Sequence, residues 1–306
     1  MISLPDNAES IEHYLNSSNT IETKKMRKTS LNYFFGKSYF NYQKSVFDVK
    51  TSDLIDYFNY LKKQDLTLTT KENKWHIITS FLNFLMEYYN QFNFVIGIPS
   101  KTIKWGENHK KSESNKNITA TKEEIKQILE CFKGYNYKYY LMFRILAESG
   151  MRKGELIYIK YTDIDTKKRI IETFGKTGLK AYYISKNLAI HLEMYIEQLK
   201  KLDAKISNLF VVKYKGKYKQ YSSRALDIII KNCKEQVNIN KQITCHTFRR
   251  TINTLRKNMG CSNEDRKILL NHKTTSDVNL NSYVVLEYDN YIKMYDQWNP
   301  YQDLKL

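Results

Sequence analysis

Six side chains in the second half of this chain carry the chemistry needed to surround one phosphodiester. Arg152 follows a Gly150-Met151 break after an apolar segment. Lys176 sits in the turn-like run Gly175-Lys-Thr-Gly-Leu-Lys180. His246 and Arg249 stand three apart at the start of a helical pattern, so they share one face and one end of it. His272 follows Ile268-Leu-Leu-Asn271, and Tyr283 comes eleven residues later. Guanidinium and ammonium groups bind phosphate oxygens, histidine moves protons near neutral pH, and a phenol is a nucleophile once a base takes its proton.

Each residue also has a plainer reading. Arg152 fits a surface arginine at a helix start, and His246 fits a helix cap. Arg249 is one basic group among many, and His272 fits a hydrogen-bonded core histidine. Tyr283 is one of 25 tyrosines. The argument therefore rests on the set rather than on any member.

The charge balance supports a polyanionic partner. Lys and Arg total 50 against 32 Asp and Glu, a net charge of +18. Such a field concentrates nucleic acid near the surface, with binding that weakens steeply as salt rises. A membrane is the rival anionic partner. No apolar run approaches the roughly 20 residues that cross a bilayer. Asp6, Glu9 and Glu12 come too early for a secretory signal, so the expected compartment is the cytoplasm. The four cysteines, Cys131, Cys233, Cys245 and Cys261, form no CxxC pair and no zinc-like cluster with histidine. They read as reduced thiols, and the expectation is neither metal nor cofactor.

The elements that must position these groups are mostly helical, because the chain has only 3 Pro and 10 Gly. Residues 1–105 read as a bundle of four helices: Asn7–Ser17, Thr20–Phe35, a third from Thr51, and Thr70–Tyr89. Their apolar stripes include Met26, Leu31, Leu54, Ile55, Phe58, Trp75, Ile78 and Phe81. Residues 106–118 contain a polar run without periodicity and read as a linker. Residues 119–306 read as an α+β domain with a C-terminal tail. Thr121 and Glu124 form a capping box for Lys122–Phe132, and Tyr137–Glu148 is a second, strongly apolar helix. The β-branched runs Ile157–Asp165, Lys168–Phe174 and Ala181–Ser185 predict a small antiparallel sheet, with Gly175–Lys180 as its hairpin loop. Helices follow over Asn187–Leu202, Ser222–Gln236, His246–Met259, Asn263–Leu270 and Tyr283–Gln297.

In this order the blocks resemble those of the tyrosine recombinases, the phage-integrase and Xer family. Gly150-Met-Arg-Lys-Gly-Glu-Leu156 resembles the family's first arginine motif, and His246-Thr-Phe-Arg-Arg-Thr251 its His-x-x-Arg box. Leu269-Leu-Asn-His272 followed by Tyr283 resembles its Leu-Gly-His…Tyr ending. Lys176 falls in the hairpin where the family keeps its catalytic lysine. The resemblance covers residues 120–295. It implies a helical, SAM-like core-binding domain followed by a catalytic domain of the DNA breaking-rejoining type. There are two departures. Asn271 replaces the usual glycine, a substitution that left-handed backbone tolerates better for Asn than for most residues. The interval from His272 to Tyr283 is also longer than usual, which keeps Tyr288 and Tyr291 open as alternatives. Lys180, on the same hairpin, is the alternative to Lys176.

The resemblance implies transesterification at a DNA phosphodiester without metal or ATP. Tyr283 would attack phosphorus, leaving a 3′-phosphotyrosyl link and a free 5′-hydroxyl. Arg152 and Arg249 would hold the non-bridging oxygens, doing the charge work that Mg²⁺ does elsewhere. His246 would take the phenolic proton, since a phenol with pKa of about 10 is a poor nucleophile at neutral pH. Lys176 would protonate the leaving oxygen, and His272 would hydrogen-bond the phosphate. Glu155 would orient His246 or an arginine. The implied partners are a double-stranded recombination site and three further copies of the chain, as a tetramer on two sites. The tail Asp289–Leu306 would dock on a neighbour or on its own chain. The compartment would be nucleoid-associated cytoplasm, or host cytoplasm for a virus- or plasmid-borne gene. A catalytically inactive DNA-binding regulator and a type IB topoisomerase or telomere-resolvase-like enzyme are the competing readings.

Overall fold

The computed structural model describes residues 7–89, 105, 118–175, 178–202, 206–272 and 288–304. The chain divides into two compact units, Met1–Ser114 and Asn115–Leu306. Of the expected linker, 106–118, only residue 118 is among those described.

The described residues of the first unit form four α-helices: α1 (Asn7–Asn16), α2 (Ile21–Phe35), α3 (Thr51–Lys63) and α4 (Leu68–Tyr89). Thr20 caps α2, its hydroxyl accepting from the Thr23 N–H. Tyr14, Leu31, Phe34, Leu54, Tyr57, Ile78 and Phe81 fill the core. Met26 and Ile55, expected to face inward, point to solvent. The stripe of α2 is narrower than predicted, running through Ser30, Leu31 and Phe34. On α3 it runs through Leu54, Tyr57, Phe58 and Leu61.

The second unit begins with α5 (Lys122–Tyr135), whose Thr121–Glu124 capping box forms as predicted, and α6 (Tyr137–Ser149). Next comes α7 (Lys153–Tyr158), where the sequence suggested a strand from Ile157. The Glu155 carboxylate accepts the Arg152 N–H at 3.0 Å and caps a helical turn there, overriding the β-branched composition. Strand β1 is therefore only Ile164–Asp165. It pairs antiparallel with β2 (Ile170–Gly175), which pairs antiparallel with β3 (Gly178–Tyr183). Leu179 and Lys180 belong to β3, opposite Phe174 and Thr173, not to the loop. Then come α8 (Lys186–Leu202) and a hairpin of β4 (Val211–Tyr214) and β5 (Lys217–Gln220). This hairpin went unpredicted because its strands are largely exposed and lack an apolar alternation. Its Lys215-Gly216 turn has positive φ at both positions, the geometry of a type I′ two-residue hairpin. Helices α9 (Ser223–Gln236), α10 (Cys245–Asn258), α11 (Asn263–Leu269) and α12 (Tyr288–Gln297) follow. The core is drawn from nearly every element, with Phe143, Leu146, Leu156, Ile171, Leu188, Leu226, Phe248 and Ile252 fully enclosed. Burial of each such side chain contributes roughly 1.5–3 kcal/mol. All four cysteines are free thiols, and Cys233, Cys245 and Cys261 are buried. Among the described residues no helix is long and apolar enough to cross a membrane.

One buried polar cluster ties the tail to this core. The fully buried Glu148 accepts from Arg144 Nε at 2.8 Å, the Ser185 N–H at 2.9 Å and the Tyr295 hydroxyl at 3.0 Å. Arg144 also donates to the Leu304 carbonyl at 3.1 Å, and Arg169 pairs with Asp296. Arg256, wholly buried, donates to the backbone carbonyls of Glu148 and Trp298, and burial pushes its guanidinium down to about 10. The described part of the tail thus packs on its own chain. Replacing Glu148 with Ala leaves a buried guanidinium unpaired, so Glu148→Ala should lower stability by about 3–5 kcal/mol in urea unfolding. A loss under about 1 kcal/mol would mean that Arg144 finds water or another acceptor.

Candidate functional site

The site starts where α6 stops. Gly150 ends that helix in the left-handed region, with φ of 67°. A Cβ there would stand 2.5 Å from Leu270 Cδ2 and 2.9 Å from Ile252 Cγ2, so glycine is required by both conformation and space. Met151 is buried and anchors the next step. Arg152 then occupies the N-cap of α7, its side chain 46% exposed, with Nη1 donating to Glu155 Oε1 at 3.2 Å.

Arg249, on α10, comes in from the other side and is buried. Its Nη1 donates to the Gly150 carbonyl and its Nη2 to the Leu270 carbonyl, both at 2.6 Å. Two of its five N–H donors are thus engaged by backbone, and the guanidinium also interacts with the Tyr182 hydroxyl. Burial, then the neighbouring Arg152 charge, pulls its pKa down from the ordinary arginine value.

Leu270 also ends α11. The Asn271 N–H donates to the Ile268 carbonyl at 2.9 Å, and the His272 N–H to the Lys267 carbonyl at 3.0 Å. This is a Schellman ending, with Asn271 at the left-handed position, φ of 50°. The family's glycine is thus replaced by a residue that keeps the turn. The Asn271 amide adds something glycine cannot, donating to the Ala181 carbonyl of β3 at 2.8 Å.

Strand β3 meets the site a second time through Glu155. Lys180 and Tyr182 lie two apart, so they share one face of the strand. Lys180 Nζ donates to Glu155 Oε1 at 2.5 Å, and the Tyr182 hydroxyl to Oε2 at 2.7 Å. Burial would raise the Glu155 carboxyl. The bonds from Lys180, Tyr182 and the Arg152 N–H outweigh it and hold the group below the usual carboxylate range.

His246 stands one residue into α10 and, with Arg152, Glu155 and Lys180, lines a cavity of about 870 Å³. Both site histidines are pushed below the ordinary histidine value. For His246 the causes are desolvation and then the charges of Arg250, Arg249 and Arg152; for His272, desolvation and then Arg249, Arg152, Lys180 and Lys267. The two imidazoles therefore feel the same two guanidiniums and are neutral at neutral pH, the state that can accept a proton.

Of the residues singled out by sequence, Arg152, Glu155, His246, Arg249 and His272 come together. Glu155 is bonded to Arg152. Lys176 and Tyr283 lie outside the described residues. Lys180 is buried against Glu155. Tyr288 donates to the Lys168 carbonyl, and Tyr291 stacks on Tyr183 at 5.6 Å between ring centroids. Tyr183 is on the opposite face of β3 from Lys180 and Tyr182, so both alternative tyrosines pack away from Glu155. Sequence reasoning missed Tyr182 and the side-chain bond of Asn271. The alternation in Lys180-Ala-Tyr182 was a usable signal for the first, whereas nothing local marks the second.

This fold is shared with solved recombinase structures. The integrase of transposon Tn1549, solved in complex with transposon right-end DNA, aligns over 95% of this chain and 97% of its own, with a TM-score of 0.66 and 16% identity. The family model for the phage integrase family matches residues 119–289. The chain belongs to that family, the tyrosine recombinases. Tyrosine recombinase XerD of Staphylococcus saprophyticus is 26% identical over 167 residues, 54% of this chain and 55% of that protein. Tyrosine recombinase XerC of Leptospira interrogans is 22% identical over 267 residues, 85% of this chain and 81% of that protein.

Two outcomes follow from the geometry. Asn271→Ala loses the Ala181 bond and forces alanine into left-handed backbone, costing about 1–3 kcal/mol in urea unfolding. Asn271→Gly relieves the strain and should cost less than Asn271→Ala; equal losses would mean that backbone conformation contributes nothing there. In NMR titration of the DNA-free protein, both His246 and His272 should titrate below 6.5. Their folded values lie below the unfolded one, so the unfolded chain binds more protons, and these groups lower stability as pH falls through 6.5. A midpoint above 6.5 for either would contradict the electrostatic reading.

Proposed function

We propose that this recombinase cuts and rejoins DNA at a specific site through a 3′-phosphotyrosyl intermediate on Tyr283, in integration, excision or dimer resolution. The observation that carries the proposal is the joint placement of Arg152, His246, Arg249 and His272, with both imidazoles pushed below the ordinary histidine value by desolvation and then by neighbouring guanidiniums. Arg152 and the N–H groups of Arg249 that the Gly150 and Leu270 carbonyls leave bind the non-bridging oxygens. The Tyr283 oxygen attacks phosphorus as His246 takes the phenolic proton. The bond to the 5′-oxygen breaks, Lys176 supplies that oxygen's proton, and His272 hydrogen-bonds the phosphate. Attack by a 5′-hydroxyl from a partner strand reverses the step and exchanges strands. The phosphotyrosyl link conserves the phosphodiester energy, so neither ATP nor metal is needed. In this reading residues 1–105 are a core-binding unit, 119–306 the catalytic one, and 106–118 a linker. The working assembly is a tetramer on two sites, in the cytoplasm of a cell or of a virus or plasmid host.

The test is covalent trapping in EDTA on a nicked suicide duplex, whose site is first recovered by binding selection from random sequence. The parent protein should give a covalent band and Tyr283→Phe none. A band that persists in Tyr283→Phe would move the nucleophile to another tyrosine. Tight binding without a band from the parent would sink the enzymatic reading in favour of a DNA-binding regulator.

A further inference from the structure

Resting on that reading, we infer that Lys180 and Tyr182 are positioning residues, which lock strand β3 to Glu155 and through it fix the Arg152 guanidinium. Glu155 is a buried carboxylate with four donors around it. Oε1 accepts from Lys180 Nζ at 2.5 Å and from Arg152 Nη1 at 3.2 Å. Oε2 accepts from the Tyr182 hydroxyl at 2.7 Å and from the Arg152 N–H at 3.0 Å. Arg152 is thus gripped by one carboxylate at backbone and side chain, and that carboxylate is held in turn by two residues of one strand face. The Tyr182 phenol also feels both Arg152 and Arg249. Lys180 is 5% exposed, and its ammonium is committed to this ion pair. A proton donor must reach the leaving 5′-oxygen, whereas Lys180 points its charge at Glu155. Strand β3 is the hairpin partner of β2, and its Ala181 carbonyl also receives the Asn271 amide. One strand is therefore registered against both the Arg152 and the His272 sides of the site.

The experiment compares cleavage rates on the suicide duplex with an ordinary scissile phosphodiester and with sulfur replacing the bridging 5′-oxygen. In the sulfur substrate the phenolic oxygen bonds to phosphorus, the P–S bond breaks, and sulfur leaves as a thiolate that needs no proton. Loss of a proton donor is repaired by sulfur, whereas loss of a positioning group is not. Lys180→Gln and Tyr182→Phe should each slow cleavage about ten- to a hundredfold on both substrates, from the usual strength of a hydrogen bond to a charged group. In a Glu155→Gln background, Tyr182→Phe should slow cleavage markedly less than it does in the parent, because most of its effect runs through Glu155 and only its interaction with Arg249 remains. Recovery of Lys180→Gln by sulfur would make Lys180 the proton donor and overturn the proposal. Undiminished cleavage by either single variant, or an unchanged Tyr182→Phe effect without Glu155, would overturn it too. If Lys180→Gln does not fold, the Tyr182–Glu155 cycle decides alone. A parent protein that cleaves neither substrate would refute the proposed reaction itself, which separates the two failures.

Discussion

The guanidinium of Arg249 is the constraint on which the site depends. It lies buried between two backbone carbonyls, those of Gly150 and Leu270. Each carbonyl belongs to the end of a different helix, and each end is two residues before a functional side chain. Arg152 follows Gly150 by two, and His272 follows Leu270 by two. One side chain of α10 therefore sets the spacing of two helix ends far apart in the chain. A carbonyl is a good partner for a buried cation because it accepts strongly without neutralising the charge. The positive field stays available for a ligand.

Burying and gathering cations has a cost, visible in the values of Arg249, His246 and His272, lowered first by desolvation and then by neighbouring positive charge. The fold offsets it with a single buried carboxylate. Glu155 takes charge from Arg152 and Lys180 together, and the Tyr182 hydroxyl completes its shell. Burial of such a group is tolerable only because all its donors are present at once. The histidines, by contrast, are shifted toward the neutral state, in which His246 can accept a proton and His272 keeps an N–H to donate. The same logic recurs around Glu148, where Arg144, Ser185 and Tyr295 satisfy a second buried carboxylate and hold the C-terminal tail.

Strand β3 divides these duties by its two faces. Lys180 and Tyr182 turn to Glu155, while Tyr183 turns the other way and stacks on Tyr291 of α12. A shift of one residue in register would exchange the two sets and empty the Glu155 socket. The backbone between them is used as well, since the Ala181 carbonyl receives Asn271.

The sequence by itself determined the helical bundle, the α+β second unit and the candidate set Arg152, Glu155, His246, Arg249 and His272. Helical periodicity and capping residues act over three or four positions, and short motifs keep their order along the chain, so both are legible in one dimension. It also allowed Asn271 to keep its turn, because left-handed tolerance is a property of the residue type. The start of α7 is local as well, capped by Glu155 three positions on, a signal that outweighs the β-branched composition arguing for a strand. Only the tertiary structure placed Lys180 in a strand rather than a loop and assigned its charge to Glu155. The same holds for the Asn271–Ala181 bond and the Arg249 clamp, which join residues 90 and 99 or 21 positions apart. Such contacts depend on how helix ends and strand faces meet in space, and no local pattern of residues encodes that meeting.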